Sequence, residues 1–128
     1  MDPVAQRSRD MIAGVSELDA RTAQALQDRS LERLHDIYRD LEKKSLDVEK
    51  LMSSGGNSCG CDVAYASLLV AVGFAVNKLD GEGRYAPWMK IESLRLLDNY
   101  KSLANDCAVD AGRTGFNSRI QSQYIETL

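Results

Sequence analysis

The sequence predicts an all-α fold, an up-and-down bundle of four helices with a short fifth helix at the carboxyl end, in a single domain over residues 1–128. Three observations carry this. The stretch from Cys61 to Leu79 has no charged residue between Val63 and Val76, and the segments around it repeat apolar residues at alternating three- and four-residue steps. The chain also has only two prolines and few β-branched residues outside that stretch. With 44% hydrophobic residues in 128, there is enough apolar mass for one core.

The central run, 61–79, carries only the Tyr65 and Ser67 hydroxyls as polar side chains between Val63 and Val76, so as a helix it is apolar on every face and is expected to be buried all round. Strand is the rival reading of a short apolar run, but the length and the alanine and glycine content favour helix. It falls short of the roughly 20 apolar residues that cross a bilayer, and Asp62, Asn77 and Lys78 close its ends, so no membrane insertion is expected. Ser67, Ala71 and Ala75 recur every four residues and give a face for close helix packing.

Taken in order, the first helix is expected near 3–27. Asp2 is a good N-cap, Pro3 suits the first turn, and Val4, Ser8, Met11, Val15, Leu18, Thr22 and Ala25 form one seam. Gly14 interrupts the pattern, and Ser16 with Asp19 resembles a capping box, so a restart there is an alternative. The second helix, near 30–53, has the seam Leu31, Leu34, Tyr38, Leu41, Ser45, Val48 and Met52. Its phase starts two residues later than the first seam would continue, about 200° around a helix, which predicts a break at 27–30 with Asp28 or Ser30 as N-cap. The rival is one rod of about 50 residues whose two faces meet different partners. Glu17 with Arg21 and Asp40 with Lys44 are spaced for pairs on a solvated face.

Ser53 to Ser58 reads as a loop, and Asp80-Gly81-Glu82-Gly83 as a turn that lacks the alternating oxygen ligands of a calcium loop. Pro87 opens a helix near 87–107 with a wide apolar arc of Met89, Leu96, Tyr100, Leu103 and Cys107, broadened by Ile91, Leu94, Leu97 and Ala104. Tyr85 and Trp88 at its start either cap the bundle end or anchor a partner. Beyond Gly112 and Gly115, Ser118 and Gln121 form a capping-box signature, and Phe116, Ile120, Tyr124 and Leu128 follow at steps of four. They predict a terminal helix near 118–127 that docks on the bundle or is handed to another molecule.

Chemistry rests on three cysteines, Cys59, Cys61 and Cys107. If 61–79 and 87–107 form an antiparallel hairpin, Cys61 lies beside Cys107, with Cys59 the next best partner. Closing a loop with a separation of 46 stabilises the fold by roughly 4 kcal/mol in the chain-entropy model. Such a bond favours an oxidising compartment, hence a periplasmic or secreted protein; three buried thiols in a cytoplasmic protein is the alternative. Asp2, Arg7, Arg9 and Asp10 interrupt any signal-peptide core, so the chain reads as cytosolic or as the mature form of an exported protein. Cys59, in a glycine and serine loop, is expected to be the unpaired and fastest-alkylating thiol.

Catalytic machinery is not legible. His35 is the single histidine, paired Cys-x-x-Cys knuckles are absent, and no phosphate loop or dinucleotide fingerprint appears. No catalytic residue, metal ligand set or cofactor is therefore expected. Mixed charges with a net of -3 and no basic cluster argue against nucleic acid. The expected function is a non-catalytic exported module that binds another protein, with a homodimer as one form of it. The interaction candidates are Trp88, Tyr85, Phe116, Ile120, Tyr124 and Leu128. Two alternatives stand beside it: a carrier whose core cavity would be lined by Leu68, Val72 and Phe74, and a thiol redox protein using Cys59 and Cys61.

Overall fold

The computed structural model describes residues 2–81 and 87–128, which form α1 (Pro3–Gln27), α2 (Leu31–Ser53), α3 (Gly60–Asp80), α4 (Pro87–Asp110) and α5 (Gln123–Glu126). The helix ends follow from local chemistry. Asp2 accepts the Val4 N–H at 3.0 Å, and Pro3 fills the first position of α1. At the other end Arg29 takes a φ of 50°, and the Ser30 amide donates to the Ala25 carbonyl at 3.0 Å, the longer bond of a Schellman closure. Ser30 then caps α2 by accepting the Arg33 N–H at 3.3 Å. The change of seam phase therefore marks a real break, and the single rod is excluded; Asp28 ends α1 and does not open α2.

Cross-helix contacts give the directions. Arg21 meets Asp40, Tyr38 lies against Gly73 while Lys44 sits over the Tyr65 ring, Cys61 joins Cys107, and Asp19 meets Tyr100. Each sequential pair is thus antiparallel, α4 closes back on α1, and α1 also reaches α3 through Arg7 and Asp62. One core runs through all four long helices. It holds Ile12, Val15 and Leu18 of α1, Leu34, Ile37 and Leu41 of α2, Tyr65, Leu68 and Val72 of α3, and Leu97 and Tyr100 of α4. Ser67, Ala71 and Ala75 are buried, as their spacing implies.

Several expectations need correction. The central helix is not buried all round: Val63, Ala66 and Val70 form a stripe facing solvent, on the side that α1, α2 and α4 leave open among the described residues. By length and composition alone α3 would cross a bilayer, yet most of its apolar side chains are covered by α1, α2 and α4. Within α1 there is no restart at Gly14. Asp19 turns inward to other elements and caps nothing. Arg21 bonds Asp40 on α2 at 3.0 Å, where an i,i+4 pair with Glu17 had been expected. Met52 and Ile91 point outward although their seams run inward, Met52 because α2 extends past the start of α3. The Asp80–Gly81 part of the expected turn is present, with Gly81 at a φ of 73° closing α3, whereas Glu82, Gly83 and Tyr85 lie outside the described residues. Helix α4 continues past Cys107 to Asp110, and Gly112 at a φ of 87° follows it.

The largest correction is at the carboxyl end. In place of a helix over 118–127, only Gln123–Glu126 is helical. The Ser118 hydroxyl donates to Asp19 at 2.6 Å and the Arg119 amide donates to the same carboxylate at 2.7 Å, so both groups serve α1 and neither opens a helix. The segment runs back along α1 and α4, seating Ile120 and Ile125 in the core, and is pinned further by Tyr124 with Gln27 and by Arg29 with the Thr127 carbonyl.

A stability prediction separates two neighbouring leucines on α3. Leu68 is fully buried, so Leu68→Ala is expected to cost about 2–5 kcal/mol in chemical denaturation. Leu69, which the apolar run alone marks as core, is half-buried, and Leu69→Ala should cost about half of that or less. Equal losses would mean that the half-buried Leu69 side of α3 is covered in solution.

Candidate functional site

Two places concentrate features that packing alone does not require. The first is the end of the bundle where α3 begins and α4 stops. Cys61 and Cys107 are disulfide-bonded with Cα atoms 5.4 Å apart, the pairing that the hairpin argument favours. Cys59 is the unpaired cysteine, and its surroundings differ from expectation. It is only 4% exposed, with Met11 Sδ and Cys107 Sγ each 3.9 Å from its sulfur. Met11 arrives from another helix, which no local pattern of glycine and serine announces. Rapid alkylation of native Cys59 is therefore replaced by an expectation of slow alkylation.

Two residues shape this end. A Cβ on Gly60 would come within 2.6 Å of the Leu103 carbonyl oxygen and 3.3 Å of the Cys107 nitrogen, so glycine is what lets the start of α3 lie against the α4 backbone. Asp62, in the first turn of α3, accepts the Cys59 amide at 2.8 Å and the Arg7 guanidinium through both oxygens, at 2.6 and 2.7 Å. Burial works to raise the Asp62 carboxyl, but the Arg7 hydrogen bonds, the Cys59 amide and the Arg7 charge outweigh it and hold the group below the usual carboxylate range. The same hydrogen bond raises Arg7. Burial first, and Asp62 second, push the nearby Tyr65 phenol up to about 12.

The sign of the resulting pH dependence follows. Asp62 keeps its charge more readily folded than unfolded, so its contribution is complete above the unfolded value near 4 and is lost as pH falls through the lower folded value. Urea midpoints of the wild type should fall steeply below about pH 4, and Asp62→Asn should flatten that fall. At neutral pH the variant should lose on the order of 1–3 kcal/mol, because Arg7 is partly exposed and rehydrates. An unchanged acid limb in the variant would remove Asp62 from this role.

The second place is the outer face at the opposite end of the α3–α4 hairpin. Trp88 is 62% exposed, Ile91 69% and Val70 43%. An open cleft of about 320 Å³ lies between Trp88 and Val70, walled by Tyr38, Leu69, Phe74, Met89 and the backbone of Gly73, with Asn77 and Glu92 as its polar rim and the buried Ser93 also lining it. A Cβ on Gly73 would come within 3.1 Å of the Tyr38 ring, so the glycine keeps the floor open at that point.

The remaining sequence candidates separate clearly. Ile120 is in the core, Phe116 packs edge-on to Tyr100 with ring centroids 6.4 Å apart, and Tyr124 and Leu128 are half-buried against the bundle, so this quartet is engaged by its own chain. Tyr85 lies outside the described residues. Leu68 and Val72 are packed in the core and do not line this cleft, while Phe74 does. Asp19, Asp62, Arg7 and Gly60 hold close contacts between elements, whereas the sequence marked Asp19 only as part of a capping box, Asp62 as a helix end and Arg7 as a break in a signal-peptide core, and did not mark Gly60. No protein-family model, curated protein or solved structure matches the chain.

Proposed function

We propose that this protein is a non-catalytic, exported helical module that binds another protein through the apolar α3–α4 face around Trp88. The observation that supports this reading is an exposed tryptophan that shares the lip of an apolar cleft with Val70, with the exposed Ile91 about one turn further along α4. Large aromatics next to a pocket are the residues that dominate binding energy at protein interfaces, and an apolar patch of this kind is costly to leave in water. Export is supported by the Cys61–Cys107 bond, which persists where thiols are not kept reduced. Burial of α3 within the bundle argues for a water-facing life without membrane insertion.

The test uses a photo-crosslinking amino acid in place of Trp88, with the same group at Glu49 on α2 as control, in cells of the native host. Position 88 should yield one discrete adduct that is lost with Ile91→Lys, while position 49 should not. An adduct at twice the chain mass identifies a second copy as the partner. No adduct at position 88, or the same products from both positions, refutes the reading.

A further inference from the structure

We propose that Cys59, Cys61 and Cys107 form an internal thiol–disulfide exchange site in which Cys107 is the shared sulfur, so that the bundle can carry either of two staples. The inference does not depend on the binding face. It rests on an arrangement that a single buried disulfide does not need. All three sulfurs lie within 4.8 Å of one another, and the free Cys59 sulfur is 3.9 Å from Cys107 Sγ.

The reaction balances without an external oxidant or reductant. From its side-on position 3.9 Å away, the Cys59 side chain rotates into line with the Cys61–Cys107 bond and, as its thiolate, attacks Cys107 Sγ; the Cys59–Cys107 bond forms as the Cys61–Cys107 bond breaks, and the bonding pair leaves on Cys61. Cys59 is oxidised, Cys61 is reduced by the same amount, and the proton lost from Cys59 ends on Cys61. Foreign thiols have no comparable access, because Cys61 and Cys107 are fully buried and Cys59 nearly so.

Three features bring the two staples within reach of each other. Their sequence separations are 46 and 48, so the chain entropy removed from the unfolded state is nearly the same for both. Gly60 lets the α3 start run against Leu103 and Cys107, which places the cysteines on either side of it within reach of one sulfur. Asp62 holds the Cys59 amide and so fixes the attacking residue to the first turn of the helix that carries the leaving one. The site gives the chain a way to correct its own oxidation: a Cys59–Cys107 bond made first converts to Cys61–Cys107 inside the folded bundle.

The experiment reads which cysteine is free. Oxidised full-length protein is held native at pH 8 without reductant, quenched in acid, and labelled with a maleimide in denaturant at mildly acidic pH. Reduction and a second label follow, and tandem mass spectrometry assigns the first label. Most of it should sit on Cys59, with roughly 1 per cent or more on Cys61, a bias of a hundredfold or less between the isomers. The Cys61 share should disappear in Cys59→Ser. Label on Cys61 below that level, equal label there in Cys59→Ser, or label on Cys107 overturns the proposal. A second reading uses Cys61→Ser, which should form one intramolecular Cys59–Cys107 bond on oxidation. Two free thiols or a covalent dimer from that variant also overturns it.

Discussion

Asp19→Ala is expected to release the carboxyl-terminal segment and to cost on the order of 2–4 kcal/mol. Asp19 is 2% exposed and gathers three donors from distant parts of the chain, Tyr100 Oη at 2.7 Å, Ser118 Oγ at 2.6 Å and the Arg119 amide at 2.7 Å. Donors to an ionised acceptor contribute about 1.5–3 kcal/mol each, partly offset here because the variant no longer buries a carboxylate. Tyr100 is the least able to adapt. Its hydroxyl is fully buried, and burial, then the Asp19 charge and hydrogen bond, hold the phenol far above its usual range. Amide exchange should quicken most over 118–126, the stretch that seats Ile120 and Ile125, while α2 and α3 keep their protection until global unfolding. Tyr100→Phe removes one donor and should cost about 1–2 kcal/mol without freeing the tail. An Asp19→Ala protein of wild-type stability and unchanged exchange would mean that the tail is held by its apolar residues alone.

Cys107→Ala should produce the larger loss, about 4 kcal/mol from the restored freedom of the unfolded chain and roughly 10–20 °C in thermal midpoint. The bond spans a separation of 46 and ties the start of α3 to the end of α4, the same two helices whose other ends are joined by the short connection at 82–86. Without it the hairpin is held at one end by the chain and elsewhere by packing only. Far-ultraviolet circular dichroism during heating is the measurement, with reduced wild type as the second arm. The reduced wild type should match the variant within about 1 kcal/mol, and Cys59→Ala should sit close to the oxidised wild type. A Cys107→Ala midpoint equal to that of the oxidised protein would show that the staple adds nothing to folding.

These two residues also mark how far the sequence could be read. Cys107 was legible because everything that positions it is local: the apolar run of α3, a short connection, and a wide arc on α4 together force an antiparallel hairpin. The break at 28–30 was legible for a similar reason, since seam phase is a short-range property. Asp19 was not, because its three partners lie 81 to 100 residues away and a carboxylate on a helix looks the same whether it faces water or a returning tail. The same holds for Arg7 and Asp62, 55 residues apart, and for Met11 over Cys59. Ser118 shows the opposite error. Its capping signature is real in the sequence, and its oxygen accepts the Ile120 N–H at 3.1 Å, but its hydroxyl is held by Asp19 and the helix begins only at Gln123. Trp88 stood as either cap or anchor, and its exposure decides only that it does not fill the bundle end.

The oxidation state of Cys107 in protein taken directly from its native compartment tests the account most directly, because the staple supports both the fold and the case for export. Cells are quenched in acid, free thiols are blocked in denaturant, and the protein is then reduced, relabelled and mapped by mass spectrometry. Cys107 should be found oxidised within a single chain in nearly every molecule, with Cys61 as its main partner. Cys107 recovered as a free thiol, with Cys59 and Cys61 free as well, would contradict the account.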